Sequence, residues 1–107
     1  MSSSSITTEA DPRDLPCHPG EILREEFMAD YALNAGALAS ALGVPQSVLD
    51  PVLAERAPVT PDLAVRLGRA FATSPEFWMN IQVRRDLKVA ARAAANDIDA
   101  IQPIHAA

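Results

Sequence analysis

The sequence predicts an all-α protein, and three observations support this fold class. Alanine, the residue most favourable in helices, accounts for 20 of the 107 residues. Thr60-Pro61-Asp62 and Ser74-Pro75-Glu76 each combine a capping hydroxyl, a proline at the first helical position and an acid. Between these two starts, apolar residues recur at helical spacing: Leu63, Ala64, Leu67, Ala70 and Phe71.

The first two helices follow from capping residues and breakers. Pro19 suits the first position of a helix that we expect to run to about Tyr31, with His18 just ahead of it. Asn34 is a good N-cap for a second helix over residues 35–42. Gly43 suits the left-handed stop at the end of that helix.

A third helix is expected to open at Pro45, but Pro51 lies in its interior. An interior proline loses one hydrogen bond and clashes with the carbonyl four residues earlier, at a cost of about 3 kcal/mol. It also disfavours helical dihedral angles at Asp50, the preceding residue. The sequence therefore predicts a kink or a break near Asp50.

The fourth helix is predicted from Pro61 to Phe71 and the fifth from Pro75 to about Asn96, because no breaker interrupts the alanines at 90–95. One domain is expected over residues 18–96, between a flexible N-terminal lead at 1–17 and a flexible C-terminal tail at 97–107. This length allows a single small core.

Composition and charge restrict the class of protein. The formal net charge is −5, which counts mildly against nucleic acid as the dominant partner, although one face can differ from the total. The single cysteine, Cys17, allows no internal disulfide and fits a cytoplasmic location. No apolar run approaches the ~20 residues of a membrane span. No phosphate loop, nucleophile triad or metal-ligand spacing appears, so we expect no enzyme, metal or cofactor.

A helix-turn-helix motif is predicted around Leu38-Ala39-Ser40-Ala41-Leu42-Gly43-Val44. Ala39 is small enough for a second helix to cross close by, and Gly43 lets the chain reverse. The apolar residues after the turn would hold the second helix with its outer side free for a DNA groove. The alternative is two packed helices without a role in DNA binding.

Four segments tie the chain to a family: HPGEIL at 18–23, LASALGVP at 38–45, VTPDLAVRL at 59–67 and SPEFWMNIQ at 74–82. In this order they resemble the HigA-type antitoxins, the VapI-like branch of the Xre/Cro-repressor helix-turn-helix proteins. The resemblance covers residues 18–92. It implies a five-helix, lambda-repressor-like domain, usually dimeric, that represses its own operon and neutralises a HigB/RelE-like toxin, a ribosome-dependent mRNA nuclease.

The resemblance also indicates a DNA-reading surface, and this sequence departs from the family there. Gln46 and Ser47 are the best candidates for base edges, and Arg56 and the backbone N–H groups at 35–37 for phosphates. The surface as a whole would comprise Asn34, Ala35, Gly36, Gln46, Ser47, Val48, Asp50 and Arg56. Ala35 and Gly36 stand where the family has a polar side chain, and Asp50 would repel phosphate.

Two functional hypotheses remain open from the sequence. The first is a dimeric repressor and antitoxin that binds operator DNA and a basic toxin. The second is a protein-interaction module that keeps the scaffold but has weakened or lost DNA binding. Candidate dimerisation residues are Phe77, Trp78, Ile81 and Arg85, although we expect at least one of the aromatic residues to lie in the core.

Overall fold

The computed structural model describes residues 15–104, and every regular element in that range is helical. Helix α1 comprises Pro19–Ile22 and is continued by a π-helical turn, Leu23–Met28. The other helices are α2 (Ala35–Leu42), α3 (Gln46–Leu53), α4 (Pro61–Phe71), α5 (Pro75–Ala93) and α6 (Ala95–Asp99). The all-α prediction is confirmed. Residues 1–14 of the predicted lead (1–17) and residues 105–107 of the predicted tail (97–107) lie outside the described residues.

Three predicted helix caps and the predicted stop are confirmed in detail, whereas α3 begins at Gln46 with Pro45 as its N-cap and not as its first residue. Asn34 Oδ1 accepts a hydrogen bond from the Ala37 N–H at 2.8 Å, and Thr60 Oγ1 accepts one from the Leu63 N–H at 3.2 Å. Ser74 caps α5 in the same way. Gly43 ends α2 with φ 70°, the left-handed conformation that glycine adopts without steric cost. These features are local, which is why the sequence predicts them well.

The first helix differs from the single α-helix predicted to Tyr31. It is α-helical to Ile22, and the chain then widens into the π-helical turn. The backbone N–H of Tyr31 still bonds to the Phe27 carbonyl at 3.1 Å, and Ala32 leaves the helix at φ 55°. Single π-helical turns interrupt α-helices only rarely, and no simple residue pattern predicts them.

The predicted break near Asp50 is wrong, because α3 is continuous and contains Pro51. The proline removes only the hydrogen bond to the Ser47 carbonyl. Bonding resumes at once, since the Ala54 N–H donates to the Asp50 carbonyl at 2.9 Å. Leu49 and Val52 are buried, and each such side chain contributes about 1.5–3 kcal/mol. Together they offset the cost of about 3 kcal/mol for the proline.

The C-terminal region also departs from the prediction. Helix α5 ends at Ala93 rather than Asn96, and Ala94 breaks it with φ −115° and ψ 27°. The short α6 then occupies the start of the segment predicted as a flexible tail from Asp97. Residues 101–104 follow without regular structure. Within residues 15–104, no helix is long and apolar enough to cross a membrane.

The core joins all the larger helices, and an aromatic cluster lies at one end of it. The cluster contains every aromatic residue of the chain: Phe27, Tyr31, Phe71, Phe77 and Trp78. Trp78 is fully buried at its centre, with its ring centroid 5.0 Å from that of Phe27. The cluster therefore holds the C-terminal end of α4 and the N-terminal end of α5 against the first helix.

Candidate nucleic-acid interface

The α2–α3 unit has the geometry of a helix-turn-helix. The Val44 N–H returns to the Ala39 carbonyl at 3.1 Å and closes the turn at Gly43. The inner sides of the two helices are buried by Leu38, Ala39, Leu42, Leu49 and Val52. Residues 46–48 of α3 are exposed. The unit thus presents the start of α3 to solvent, where a duplex groove can receive it.

Arg66 fastens the turn between the two helices. Its Nη1 atom donates to the Leu42 carbonyl at 2.8 Å and to the Gly43 carbonyl at 3.3 Å, and its Nε atom donates to Asp62 at 2.9 Å. A cation is favourable there because the unpaired carbonyls at a helix end carry negative partial charge. Asp62 on the preceding turn of α4 orients this guanidinium.

Arg24 does the same at the end of α3. Its Nη1 atom donates to the Leu53 carbonyl, and its Nη2 atom donates to Glu55 Oε2 at 3.1 Å. Hydrogen bonds with Glu25 and Glu55 raise the pKa of Arg24 above its ordinary value. Sequence reasoning missed both arginines as positioning residues. The i,i+4 spacing of Asp62 and Arg66 could have indicated that pair, but the carbonyl contacts depend on tertiary structure.

Four of the predicted DNA-binding residues lie together. A Cβ atom built on Gly36 would lie 3.4 Å from Gln46 Oε1 and 3.6 Å from Asn34 Oδ1. The Gln46 Nε2 atom lies 3.4 Å from both carboxylate oxygens of Asp50. The start of α2 and the start of α3 therefore meet at one exposed surface.

The other four predicted residues surround this group less closely. Ser47 and Val48 are exposed on α3, and Ala35 is half-buried in the first turn of α2. Arg56 lies beyond the end of α3, where its backbone N–H bonds to the Pro51 carbonyl at 2.8 Å and its side chain is exposed. The role of Arg56 as a phosphate contact therefore stays a prediction, and the exposed side chain is compatible with it.

The four predicted dimerisation residues have different environments. Trp78 is fully buried and donates from Nε1 to Thr73 Oγ1 at 2.9 Å, as the core interpretation requires. Arg85 donates to the Pro16 carbonyl at 2.8 Å. Phe77 is 39 % exposed and Ile81 is half-buried, so these two keep surface for a partner.

The second half of α5 carries apolar surface that sequence reasoning missed. Val83, Leu87 and Val89 are exposed there, Leu87 to 66 %. Val83 and Leu87 are four residues apart and share one side of the helix. Their spacing was visible in the sequence, but only the fold shows that no described element covers them.

His18 caps the first helix with its side chain. Its Nδ1 atom accepts a hydrogen bond from the Gly20 N–H at 2.8 Å, so this nitrogen carries no proton. Burial lowers the pKa of His18 below its ordinary value of 6.5, and the positive charge of Arg85 adds to this effect. The charges of Glu55 and Asp86 and a hydrogen bond with the Ala57 backbone oppose it.

Protonation of His18 is expected to destabilise the fold. Because the pKa is lowered in the folded state, the unfolded chain binds the proton more readily. The stability that neutral His18 contributes to the fold is complete above about pH 6.5. It declines as the pH falls towards the lowered pKa of His18 in the folded state. Urea unfolding between pH 8 and pH 5 should show this loss. His18→Asn, which retains an N-cap acceptor, should lose less stability over the same range. Equal losses in both proteins would contradict the assignment.

The fold and this surface define a helix-turn-helix DNA-binding protein. The chain is 43% identical over 86 residues to virulence-associated protein I of Dichelobacter nodosus, covering 79% of this chain and 80% of that protein. It is 35% identical over 72 residues to antitoxin HigA-1 of Vibrio cholerae, covering 67% of this chain and 68% of that protein. The chain belongs to the HigA-like family of helix-turn-helix antitoxins and transcriptional regulators.

A solved structure supports the same conclusion. The Pseudomonas aeruginosa antitoxin HigA with the higBA promoter superposes with a TM-score of 0.80 at 41% identity, covering 84% of this chain and 99% of that one. No family model matches the sequence. Two of these three proteins are named as antitoxins and the third as a virulence-associated protein.

Proposed function

We propose that this chain is a transcriptional repressor and antitoxin that binds operator DNA through α3 and the start of α2. The observation that carries the proposal is the exposed surface where Gly36, Gln46 and Asp50 meet. Two arginines hold the motif in place, Arg66 at the turn between α2 and α3 and Arg24 at the end of α3. The start of the second helix of such a motif is the part that contacts base edges in the major groove of helix-turn-helix proteins, which supports this proposal.

The hypothesis of a scaffold that has lost DNA binding is not favoured. Ala35, Asp50 and Pro51 favoured it, and the expected break at Pro51 is absent because α3 is continuous there. The Pseudomonas aeruginosa antitoxin HigA, which superposes on this chain, was solved with the higBA promoter. Asp50 and Glu55 still leave the motif poor in positive charge, but Glu55 is paired with Arg24.

Dimerisation is the second part of the proposal. We expect two copies to meet along α5, so that two copies of α3 reach successive major grooves. Phe77 and Ile81 supply partly exposed apolar surface on one side of α5, and Val83 and Leu87 supply more. Trp78 and Arg85 hold α5 in place through contacts within the domain. We expect Phe77, Ile81, Val83 and Leu87 to contact the partner copy.

A HigB/RelE-like toxin is the proposed protein partner. The net charge of −5 favours association with a basic nuclease, since complementary charge increases the rate of encounter. Co-expression with a candidate toxin should restore growth and messenger RNA levels. Continued growth arrest, with the chain present and folded, would remove the antitoxin role and leave a solitary regulator.

DNA binding is tested by a mobility shift with the chain's own promoter. Affinity should fall steeply between about 50 and 200 mM salt, because binding releases counterions from the duplex. Arg56→Ala should weaken binding to every sequence and reduce the salt slope by about 1, the value for a single phosphate-binding cation. Arg69→Ala, an exposed arginine on α4, is the matched control and should bind normally. Weak, unselective binding by the unchanged protein would overturn the proposal.

A further inference from the structure

The exposed surface of α3 is unusual because it carries a carboxylate and no cation. The helix reads Gln-Ser-Val-Leu-Asp-Pro-Val-Leu, without Lys or Arg. The commonest specific contact in a major groove is a bidentate pair from Arg or Lys to guanine. Helix α3 cannot make that contact, so its base preference has to come from other groups.

The arrangement of Gln46 and Asp50 shows what those groups are. Asp50 is exposed on α3 one turn after Gln46, and Gln46 Nε2 lies 3.4 Å from both of its oxygens. The amide nitrogen therefore faces the carboxylate. An ionised carboxylate only accepts hydrogen bonds. The Asp50 carboxylate can therefore be matched only by a hydrogen-bond donor on the DNA.

We propose that Asp50 is a specificity-determining residue that selects a cytosine in the operator half-site. Cytosine presents its N4 amino group, a donor, in the major groove, and Asp or Glu is the side chain that accepts from it. Guanine and thymine present acceptor oxygens there and would be repelled. Adenine presents a donor beside the acceptor N7, so the carboxylate is less well matched to it.

The same reasoning explains how an acid can lie on a DNA-binding helix. Facing phosphates, Asp50 would only weaken binding. Facing an amino group within the groove, the carboxylate accepts a hydrogen bond from the correct base and repels the acceptor atoms of the wrong ones. Unfavourable contacts with wrong partners are one way in which interfaces gain specificity. Gln46 then acts as a positioning residue that holds the carboxylate. This inference rests on the proposed DNA-binding function and adds to it which base Asp50 prefers.

The test is selection of duplexes from a randomised library by the full-length protein, followed by sequencing. The unchanged protein should enrich a cytosine at one position of each half-site, with a preference of about 5- to 100-fold over the other bases. Asp50→Asn should shift that position towards adenine, since an amide can contact both N6 and N7. Asp50→Ala should lose the preference at that position and retain the rest of the half-site.

Ratios between bases are the decisive measurement, because removing an acid raises affinity for all DNA. Asp30→Asn, an exposed acid near the end of the first helix, controls for this general effect and should keep the cytosine. An unchanged base profile in Asp50→Asn, with the unchanged protein still selecting a site, would overturn the inference alone. Failure of the unchanged protein to enrich any duplex would overturn the inference together with the DNA-binding proposal.

Discussion

Gly20→Ala is expected to destabilise the domain by roughly 3 kcal/mol or more, because it forces α1 away from α3. A Cβ atom on Gly20 would overlap the backbone carbonyl oxygen of Val52 and lie 3.0 Å from His18 Nδ1. A backbone oxygen cannot rotate away as a side chain can. The methyl group would also disturb the His18 cap, and the displacement would move α3, the helix proposed to bind DNA.

Gly36→Ala is the matched control for this prediction, since Gly36 is also helical. A Cβ atom there would be in ordinary contact with the flexible Gln46 side chain. Alanine in a helix is more favourable than glycine by about 1 kcal/mol, so Gly36→Ala should be neutral or stabilising. Urea midpoints for the two variants measure the difference. Equal midpoints would show that α1 and α3 separate without cost.

Local chemistry accounts for the part of the fold that the sequence predicts. Asn34, Thr60 and Ser74 cap their helices through atoms three residues away in the chain. Gly43 needs only its own backbone conformation. Such interactions are independent of how the helices pack, so residue type and spacing are sufficient to predict them.

Tertiary packing decided the features that the sequence did not predict. Pro51 stays within a helix because Leu49 and Val52 are buried against neighbouring helices. The π-helical turn at 23–28 accompanies the contact from Arg24 to the end of α3. Neither burial nor a contact across 29 residues is visible in local propensity.

The candidate site follows the same division. The motif predicted which residues lie near the start of α2 and α3, because two helices joined by a short turn have limited geometry. It did not predict that Gln46 would direct its amide at Asp50, which depends on rotamers. It also left Trp78 open between core and interface, since a large apolar side chain suits either place.

Trp78→Ala is expected to cost about 3–5 kcal/mol, the range for removing a large buried aromatic side chain. Trp78 is fully buried, lies 5.0 Å from both Phe27 and Phe77 between ring centroids, and bonds to Thr73. Its removal takes away the packing that joins α5 to the first helix and leaves a cavity. Much of a small domain's stability, typically about 5–15 kcal/mol, would then be lost.

Two controls separate this core role from a role in dimerisation. Phe77→Ala removes a side chain that is already 39 % exposed and should cost clearly less stability. Trp78→Phe keeps a ring in the core but loses the hydrogen bond to Thr73, so its stability should lie between those of the unchanged protein and Trp78→Ala. Urea unfolding followed by circular dichroism measures all three variants, since replacing Trp78 removes the only tryptophan that fluorescence could follow.

If Trp78→Ala altered the oligomeric state while leaving the unfolding free energy unchanged, Trp78 would be an interface residue and the core described above would be wrong. The full burial of its ring in a single copy is the reason to expect the opposite.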